Sequence, residues 1–222
     1  MIHLDDLCKT YTLNGRHKVV ADHITMTFPS FTSVALLGRN GAGKSSLLKM
    51  ISGAMLPSSG RILSTGTISW PVGFSGNFSG ELTGEQNTRF VARIYGIDTD
   101  EMVDFVADFA ELGQHFKMPI RTYSSGMKSR LAFGISMAVP FDTYLVDEVS
   151  AVGDAAFKSK SNRVFNDRLA NAGAVVVSHS MSLLREICDC GAVLEAGQLT
   201  WYDDINEAID VHLANMKRPR PA

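Results

Sequence analysis

The chain has 222 residues and a formal net charge of −2, from 21 Lys and Arg against 23 Asp and Glu. Hydrophobic residues make up 45% and charged residues 20%, which is typical of a globular domain with a buried core and excludes a disordered or fibrous chain. The balanced charge argues against a general nucleic-acid binder, which usually carries a basic excess. No apolar run approaches the roughly 18 residues of a membrane-spanning helix. The acidic residues Asp5 and Asp6 are unlike the start of a signal peptide. We therefore expect a cytosolic chain that would need a partner for any role at a membrane.

Cys8, Cys188 and Cys190 are odd in number and irregularly spaced, which does not fit a disulfide framework. The close pair is C-x-C, not the C-x-x-C of a redox or zinc site. We predict three reduced thiols without a catalytic role.

The first elements are strands. Ile2–Leu7 and Val19–Phe28 alternate in polarity on either side of Asn14-Gly15, a strong turn dipeptide, and this predicts an antiparallel pair. The short apolar run Ser33–Leu37 then predicts a buried strand. It leads through a glycine-rich turn into a helical pattern at Lys44–Ile51, which is the opening of an α/β unit.

The next stretch, about residues 81–139, is predicted to be helical and to form a subdomain inserted in the α/β core. Its clearest helix has apolar residues spaced by three and four, with Thr99 expected to cap its start and Gly113 its end. These apolar residues are Met102, Val103, Val106, Phe109 and Ala110.

Apolar strands return after the helical stretch, at Thr143–Val146, Ala174–Val177 and Ala192–Leu194. A helix from about residue 155 to 171 lies between the first two. A hairpin around Ala196-Gly197 and a helix over 204–216 complete the pattern. Alternating strands and helices predict an α/β fold with a mostly parallel sheet covered by helices.

The turn after Ser33–Leu37 matches G-x-x-x-x-G-K-[ST] in full and lies between a predicted strand and a predicted helix. Glycines let backbone N–H groups approach phosphate oxygens, and the helix N-terminus favours an anion. Lys44 can neutralise the β- and γ-phosphates, and the Ser45 hydroxyl can bind Mg²⁺. The motif predicts a nucleoside triphosphate site formed by Gly38, Arg39, Asn40, Gly41, Ala42, Gly43, Lys44, Ser45 and Ser46.

Asp147 and Glu148 follow the apolar strand Thr143–Val146. An acid at the carboxyl end of a parallel strand points into the crevice where ligands bind. We interpret Asp147 as a Mg²⁺ ligand, partly through water, and Glu148 as the general base that orients water toward the γ-phosphate. Without the phosphate loop upstream, the same residues would equally suit an ordinary strand end.

Two further segments are candidates for phosphate contacts. Tyr123–Met127 precedes a helix over 128–138, and Ser124 or Ser125 can cap that helix, whose N-terminus can hold an anion. His179 follows the strand at Ala174–Val177, where it would face the phosphates. The alternatives are a plain capped helix and a structural or exposed histidine.

Taken together, these motifs resemble the ATP-binding subunit of an ABC transporter over nearly the whole chain. Gly38–Ser45 is similar to the Walker A motif of that family and Tyr144–Glu148 to its Walker B motif with the catalytic glutamate. Tyr123–Met127 takes the place of the signature sequence LSGGQ, of which Ser124 and Gly126 are retained. The resemblance further implies roles for Asp154 as the D-loop aspartate, His179 as the switch histidine and Tyr11 as the aromatic that stacks on adenine. The alternative for Tyr11 is a half-buried strand tyrosine.

One family feature is missing. The glutamine that normally follows a strand and contacts Mg²⁺ is absent from Trp70–Gly80, and Gln86 lies too far along the chain to be assigned that role. The loop Gly73–Gly80 is instead expected to transmit movement through backbone or aromatic contacts.

The departures from the family pattern resemble its polysaccharide-export branch. The chain leaves no room for the carbohydrate-binding domain of some O-antigen exporters, so we favour capsular polysaccharide, with O-antigen or teichoic-acid export as the alternative. A soluble non-transport ABC ATPase, a small-molecule kinase and a regulatory module without turnover fit the motifs less well.

The resemblance also implies partners. The implied ligands are ATP and Mg²⁺, and the implied protein partners are a second copy of the chain and a separate polytopic permease. The two copies would form a head-to-tail dimer in which Ser124, Ser125 and Gly126 of one copy act on the ATP of the other. It implies no nucleic acid, and it places the chain peripherally on the cytoplasmic face of the bacterial inner membrane.

Overall fold

The computed structural model describes residues 1–13, 15–73, 76, 78–147 and 155–218. Within these ranges the chain forms two compact units. The first comprises residues 1–71, 141–147 and 171–218, and the second comprises 72–140 and 155–170. None of the helices in the described ranges combines the length and the apolar character needed to cross a bilayer.

The elements in chain order begin with β1 (Ile2–Leu13), β2 (Arg16–Phe28), β3 (Ser33–Leu37), α1 (Lys44–Ile51), β4 (Ser59–Ser64), β5 (Ile68–Pro71), α2 (Gly84–Tyr95) and α3 (Thr99–Ala110). Two short 3-10 helices, Gly113–Lys117 and Ile120–Thr122, come next. The chain continues with α4 (Ser125–Ala138), β6 (Thr143–Asp147), α5 (Ala155–Leu169), β7 (Gly173–Val177), α6 (Met181–Ile187), β8 (Cys190–Glu195), β9 (Gln198–Tyr202) and α7 (Ile205–Lys217).

The first unit contains a six-stranded sheet with the order β5-β6-β7-β3-β8-β9. All neighbours are parallel except β8 and β9, which form the predicted antiparallel hairpin. Strands β3 and β7 are buried along their whole length, as strands covered on both faces should be. The predicted α/β fold with a mostly parallel sheet is confirmed.

A second sheet in the same unit has the order β2-β1-β4 and is antiparallel. Its apolar face, which includes Leu4, Leu7 and Phe28, belongs to the same hydrophobic cluster as β3, β7 and the inner face of α1. The predicted pairing of the first two strands is confirmed, although Asn14 of the predicted turn lies outside the described residues.

The second unit is helical around Phe109. Its ring stacks on Phe105 and Phe133 and meets Phe157 of α5 edge-on, with ring centroids 5.2–6.0 Å apart. Gly134 in α4 allows this packing, because a Cβ there would lie 3.0 Å from the Phe109 ring. Aromatic burial of this kind is a major source of stability for a small unit.

Both predicted caps of α3 are wrong. Asp98 is the N-cap, with its carboxylate accepting from the N–H groups of Asp100 and Glu101, so that Thr99 is the first helical residue. An aspartate satisfies two unpaired donors and also interacts favourably with the helix dipole. At the other end, Glu111 adopts the left-handed conformation after Ala110, and Gly113 begins a 3-10 helix instead.

All three cysteines are free of disulfides, as predicted. Burial raises the pKa of Cys188 to about 12 and that of Cys190 to about 11. Because the thiolate is the reactive form, these two residues behave as small apolar side chains.

Candidate nucleotide site

The strand order brings three of the predicted site segments to one edge of the sheet. Strands β6, β7 and β3 are neighbours and parallel, so their carboxyl ends lie side by side. Asp147 is paired with Val177, two residues before His179. Ala35 is paired with Val176, and Gly38 and His179 follow one and two residues after the ends of their two strands. The three segments therefore leave the sheet at the same edge, while the crevice expected there stays a prediction.

The phosphate loop depends on glycines that take positive φ values. Gly38, Gly41 and Gly43 have φ of 152°, 82° and 116°. A Cβ on Gly43 would lie 2.8 Å from the Cβ of Val20, and one on Gly38 would lie 2.5 Å from the carbonyl oxygen of Leu194. Gly43 is also the N-cap of α1 and provides no side-chain cap, so the first N–H groups of the helix remain available to an anion.

Lys44 lies over this loop. Its Nζ donates to the carbonyl oxygens of Gly38, at 2.7 Å, and Arg39, at 3.2 Å. An ammonium group held at the mouth of a glycine-rich loop is suited to bind phosphate oxygens. The structure thus brings the cation and the backbone donors together.

Tyr11 lies beside the same helix. Its hydroxyl is 3.1 Å from Ser46 Oγ and donates to Met55 Sδ at 3.1 Å, while Lys9 Nζ lies 5.3 Å from the ring centroid. The tyrosine remains partly exposed. A ring held at its hydroxyl end and partly exposed can stack on a planar base.

The candidate magnesium ligands lie on elements that contact each other, since α1 packs against β6. Ser45 is exposed in the first turn of α1. Asp147 is the last residue of β6 and is partly exposed, whereas the four residues before it are buried. Hydroxyl and carboxylate oxygens of this kind suit Mg²⁺. Glu148 and Asp154, the predicted base and D-loop aspartate, lie outside the described residues.

The signature segment lies in the second unit. Ser124 is the N-cap of α4, with its Oγ accepting from the N–H of Met127 at 3.2 Å, which resolves the choice left open between Ser124 and Ser125. Tyr123 is buried and donates to the carbonyl oxygen of His115 at 2.6 Å. Ser124, Ser125 and Gly126 are exposed. The N-terminus of α4 is thus held in place by the hydrogen bonds of Tyr123 and Ser124, and its first residues are exposed to solvent.

Gln86 stabilises the N-terminus of α2. In a capping box at the start of α2, its Oε1 accepts from the N–H of Thr83 at 2.9 Å, and Thr83 Oγ1 accepts from the N–H of Gln86 at 3.0 Å. This agrees with its exclusion as the missing magnesium-contacting glutamine.

The comparison with known proteins decides the family. The family model described as "ABC transporter" matches residues 21–151. The chain belongs to the ABC transporter family. It is therefore an ABC-type ATPase.

Two relatives match this ATPase almost end to end. The polysialic acid transport ATP-binding protein KpsT of Escherichia coli is 50% identical over 95% of each chain. The capsule polysaccharide export ATP-binding protein CtrD of Neisseria meningitidis serogroup B is 42% identical, over 96% of this chain and 98% of that protein.

A solved structure confirms the fold. The ATP-binding cassette MJ0796, described in a dimeric post-hydrolysis state with ADP and Pi, superimposes with a TM-score of 0.76 at 19% identity, over 92% of this chain and 99% of that chain.

Sequence reasoning missed a cavity beside the phosphate loop of the ATPase. A cavity of about 470 Å³ lies between the loop, β2 and the β8–β9 hairpin, with His17 and Lys18 in its lining. Lys18 is paired with Tyr11 across the two strands, and its Nζ would lie 3.6 Å from a Cβ on Gly41. The only signal available from sequence was a pair of basic residues opposite the tyrosine.

A buried histidine, also missed, lies on α7 near the site. His212 is only 7% exposed, and its Nδ1 finds no hydrogen-bond partner among the described residues. Burial lowers the pKa of His212, and the positive charges of Lys44 and Arg39 lower it further against the opposite effect of Glu195. The imidazole is thereby kept neutral near Lys44 and Arg39.

Stability of the ATPase should fall as the pH is lowered through the ordinary histidine value of 6.5. The unfolded chain then takes up a proton that folded His212 does not, so the unfolded state gains stability. Urea unfolding at about pH 7.5 and 5.5 should show a smaller free energy of unfolding at the lower pH. The difference should shrink in His212→Gln and persist in the exposed control His115→Gln. An equal difference in wild type and His212→Gln would refute this.

Proposed function

We propose that this ATPase powers export of a capsular polysaccharide through a separate membrane permease, from the cytoplasmic face of the bacterial inner membrane. The observation that carries the proposal is identity of 50% and 42%, over nearly the full length of each chain, to two proteins named for polysialic acid transport and capsule polysaccharide export. Both relatives favour a capsular cargo over O-antigen or teichoic acid.

The proposed roles follow the site from one end of the nucleotide to the other. Tyr11 stacks on adenine, the backbone of Asn40–Gly43 and the first turn of α1 bind the phosphates, and Lys44 neutralises the β- and γ-phosphates. Ser45 and Asp147 hold Mg²⁺, which when bound offsets the charge that develops on the phosphate oxygens.

Hydrolysis is assigned to the groups at the strand ends. Glu148 accepts a proton from the attacking water, whose oxygen forms a bond to the γ-phosphorus as the bond to the β–γ bridging oxygen breaks, and ADP leaves. His179, two residues after the end of β7, contacts the γ-phosphate and orients the attacking water. Asp154 is assigned to the contact between the two copies of the dimer, next to the γ-phosphate.

We further propose that the working unit is a head-to-tail dimer in which Ser124, Ser125 and Gly126 of one copy close on the ATP of the other. The supporting observation is the exposed, serine-capped N-terminus of α4, whose N–H groups can donate to a γ-phosphate. The solved cassette of the same fold is itself dimeric.

The surface proposed for the permease is an apolar patch on α2. Phe90 and Ile94 are four residues apart on one face and are 56% and 60% exposed, with Tyr95 beside them. Exposed apolar residues clustered in this way on a helix are typical of a contact surface. The patch lies on the helix that follows the loop Gly73–Gly80, the segment to which we assign transmission.

Replacing Phe90 and Ile94 together with Ser should uncouple the ATPase from its permease. Because both side chains are exposed, ATP binding and thermal stability should stay close to wild type. Co-purification with a polytopic membrane protein and the amount of surface polysaccharide should both fall at least about tenfold, as loss of two apolar anchors implies. The matched control is Leu63→Ser, an exposed apolar residue on β4. Unchanged co-purification would show that the patch is not the contact.

The function itself is tested in the bacterium that encodes the chain. A strain in which Lys44→Ala replaces the native copy should lack surface polysaccharide, and normal export in that strain would contradict the proposal.

A further inference from the structure

Arg39 is part of the phosphate loop, yet its side chain reaches α7. Its Nη2 donates to the backbone oxygens of Asn215 and Arg218, and its Nε lies 3.8 Å from Glu195 Oε1. The side chain is 15% exposed. The carbonyls in the last turn of a helix have no partner within the helix, so the guanidinium caps the C-terminus of α7. Its positive charge is also favourable at the negative end of the helix dipole.

Helix α7 gives this contact a firm support. One face of the helix, with spacings of three and four residues, is buried at Ile205, Ala208, Ile209 and His212. The helix contacts β3, β8 and β9. Its approach to β8 is so close that a Cβ on Gly191 would overlap the Cβ of Ala208. The last turn of α7 is therefore positioned by the sheet that also carries the loop.

The phosphate loop around Arg39 needs contacts that hold its backbone in one conformation. Gly38 and Gly41 on either side of Arg39 take positive φ values, and glycines lose more conformational freedom on ordering than other residues. The backbone oxygen of Arg39 accepts from Lys44 Nζ while the side chain of Arg39 binds α7. One residue thus links the phosphate-binding lysine to the end of α7. An anchor that orders a binding loop beforehand increases its affinity.

We propose that the last turn of α7 holds the phosphate loop in its binding conformation through Arg39, so that ATP affinity and the order of residues 215–218 are coupled. Arg39 is then a positioning residue whose side chain acts through α7. Because coupling between two sites is reciprocal, bound ATP should in turn stabilise the end of α7. The inference rests on the phosphate-binding role proposed above for residues 38–46.

The test is a double-mutant cycle on the full-length chain. Arg39→Ala removes the guanidinium, and Met216→Pro breaks the last turn of α7 at an exposed position, with Met216→Ala as the matched control that keeps the helix. The dissociation constant for Mg·ATP is measured by titration, and thermal unfolding confirms that each variant folds. Arg39→Ala and Met216→Pro should each raise the dissociation constant by about fivefold or more. The double variant should have a dissociation constant no higher than that of the more weakly binding single variant. Arg39→Lys should recover part of the affinity.

Amide hydrogen exchange provides a second measurement. ATP should slow exchange at residues 213–218 in the wild type and should fail to do so in Arg39→Ala. The proposal is overturned if Arg39→Ala binds ATP as tightly as wild type, or if the two losses multiply in the double variant, since the guanidinium would then act on the nucleotide directly. Normal ATP binding by Lys44→Ala would instead remove the site assignment on which the proposal rests.

Discussion

Replacing Lys44 with Ala should abolish most of the function of this ATPase. Lys44 Nζ is held at the mouth of the phosphate loop by the carbonyls of Gly38 and Arg39, where it can bind phosphate oxygens. A hydrogen bond to a charged group contributes about 1.5–3 kcal/mol, so ATP affinity should fall by about tenfold or more. Turnover should fall by about 10²–10³, because the lysine also offsets charge in the transition state.

The measurements are titration with a fluorescent ATP analogue and phosphate release under single-turnover conditions. Lys49→Ala is the matched control, since Lys49 is an exposed lysine in the last turn of the same helix and should tolerate the change. In the bacterium, Lys44→Ala should remove surface polysaccharide and Lys49→Ala should not. Equal ATP affinities for the Lys44 and Lys49 variants would show that the loop does not bind phosphate as proposed.

The elements that the sequence predicts well are those whose signals are local. The α1 helix was predicted at its observed bounds because its apolar spacing is regular and a glycine-rich turn precedes it. Strand β6 and its terminal acid are equally local, since burial on both faces demands a continuous apolar run. Strand β5 was harder to recognise because it is short and contains Pro71, which is tolerated there because the strand lies at the edge of the sheet.

The parts that escaped prediction depend on contacts between residues far apart in the chain. Nothing near Arg39 indicates that its side chain would cap a helix that ends about 180 residues later. The burial of His212 could not be predicted either, because its neighbours on α7 give no sign that the helix packs near Lys44. The N-cap of α3 was mispredicted for a different reason: Asp98 and Thr99 are adjacent and both are good cap residues, so the sequence left an ambiguity of one position.

Replacing Glu148 with Gln should separate ATP binding from ATP hydrolysis. Glu148 directly follows β6 in the sequence and is proposed to accept the proton of the attacking water. A glutamine has nearly the same shape but cannot accept that proton, and general bases typically contribute about 10²–10⁴ to the rate. Turnover should therefore fall by about that factor, whereas ATP affinity should stay within a few-fold of wild type because the phosphate loop is unchanged.

The same substitution should trap the dimer. If each ATP is closed on by Ser124, Ser125 and Gly126 of the other copy, hydrolysis is the step that removes the link between the two copies, and blocking it should let the closed dimer accumulate. Size-exclusion chromatography with light scattering in Mg·ATP should then show a dimer for Glu148→Gln. The matched control Glu186→Gln, at an exposed position on α6, should behave as wild type. Slow turnover without a dimer would leave Glu148 as the base and rule out the head-to-tail arrangement, whereas unchanged turnover would remove Glu148 from the role.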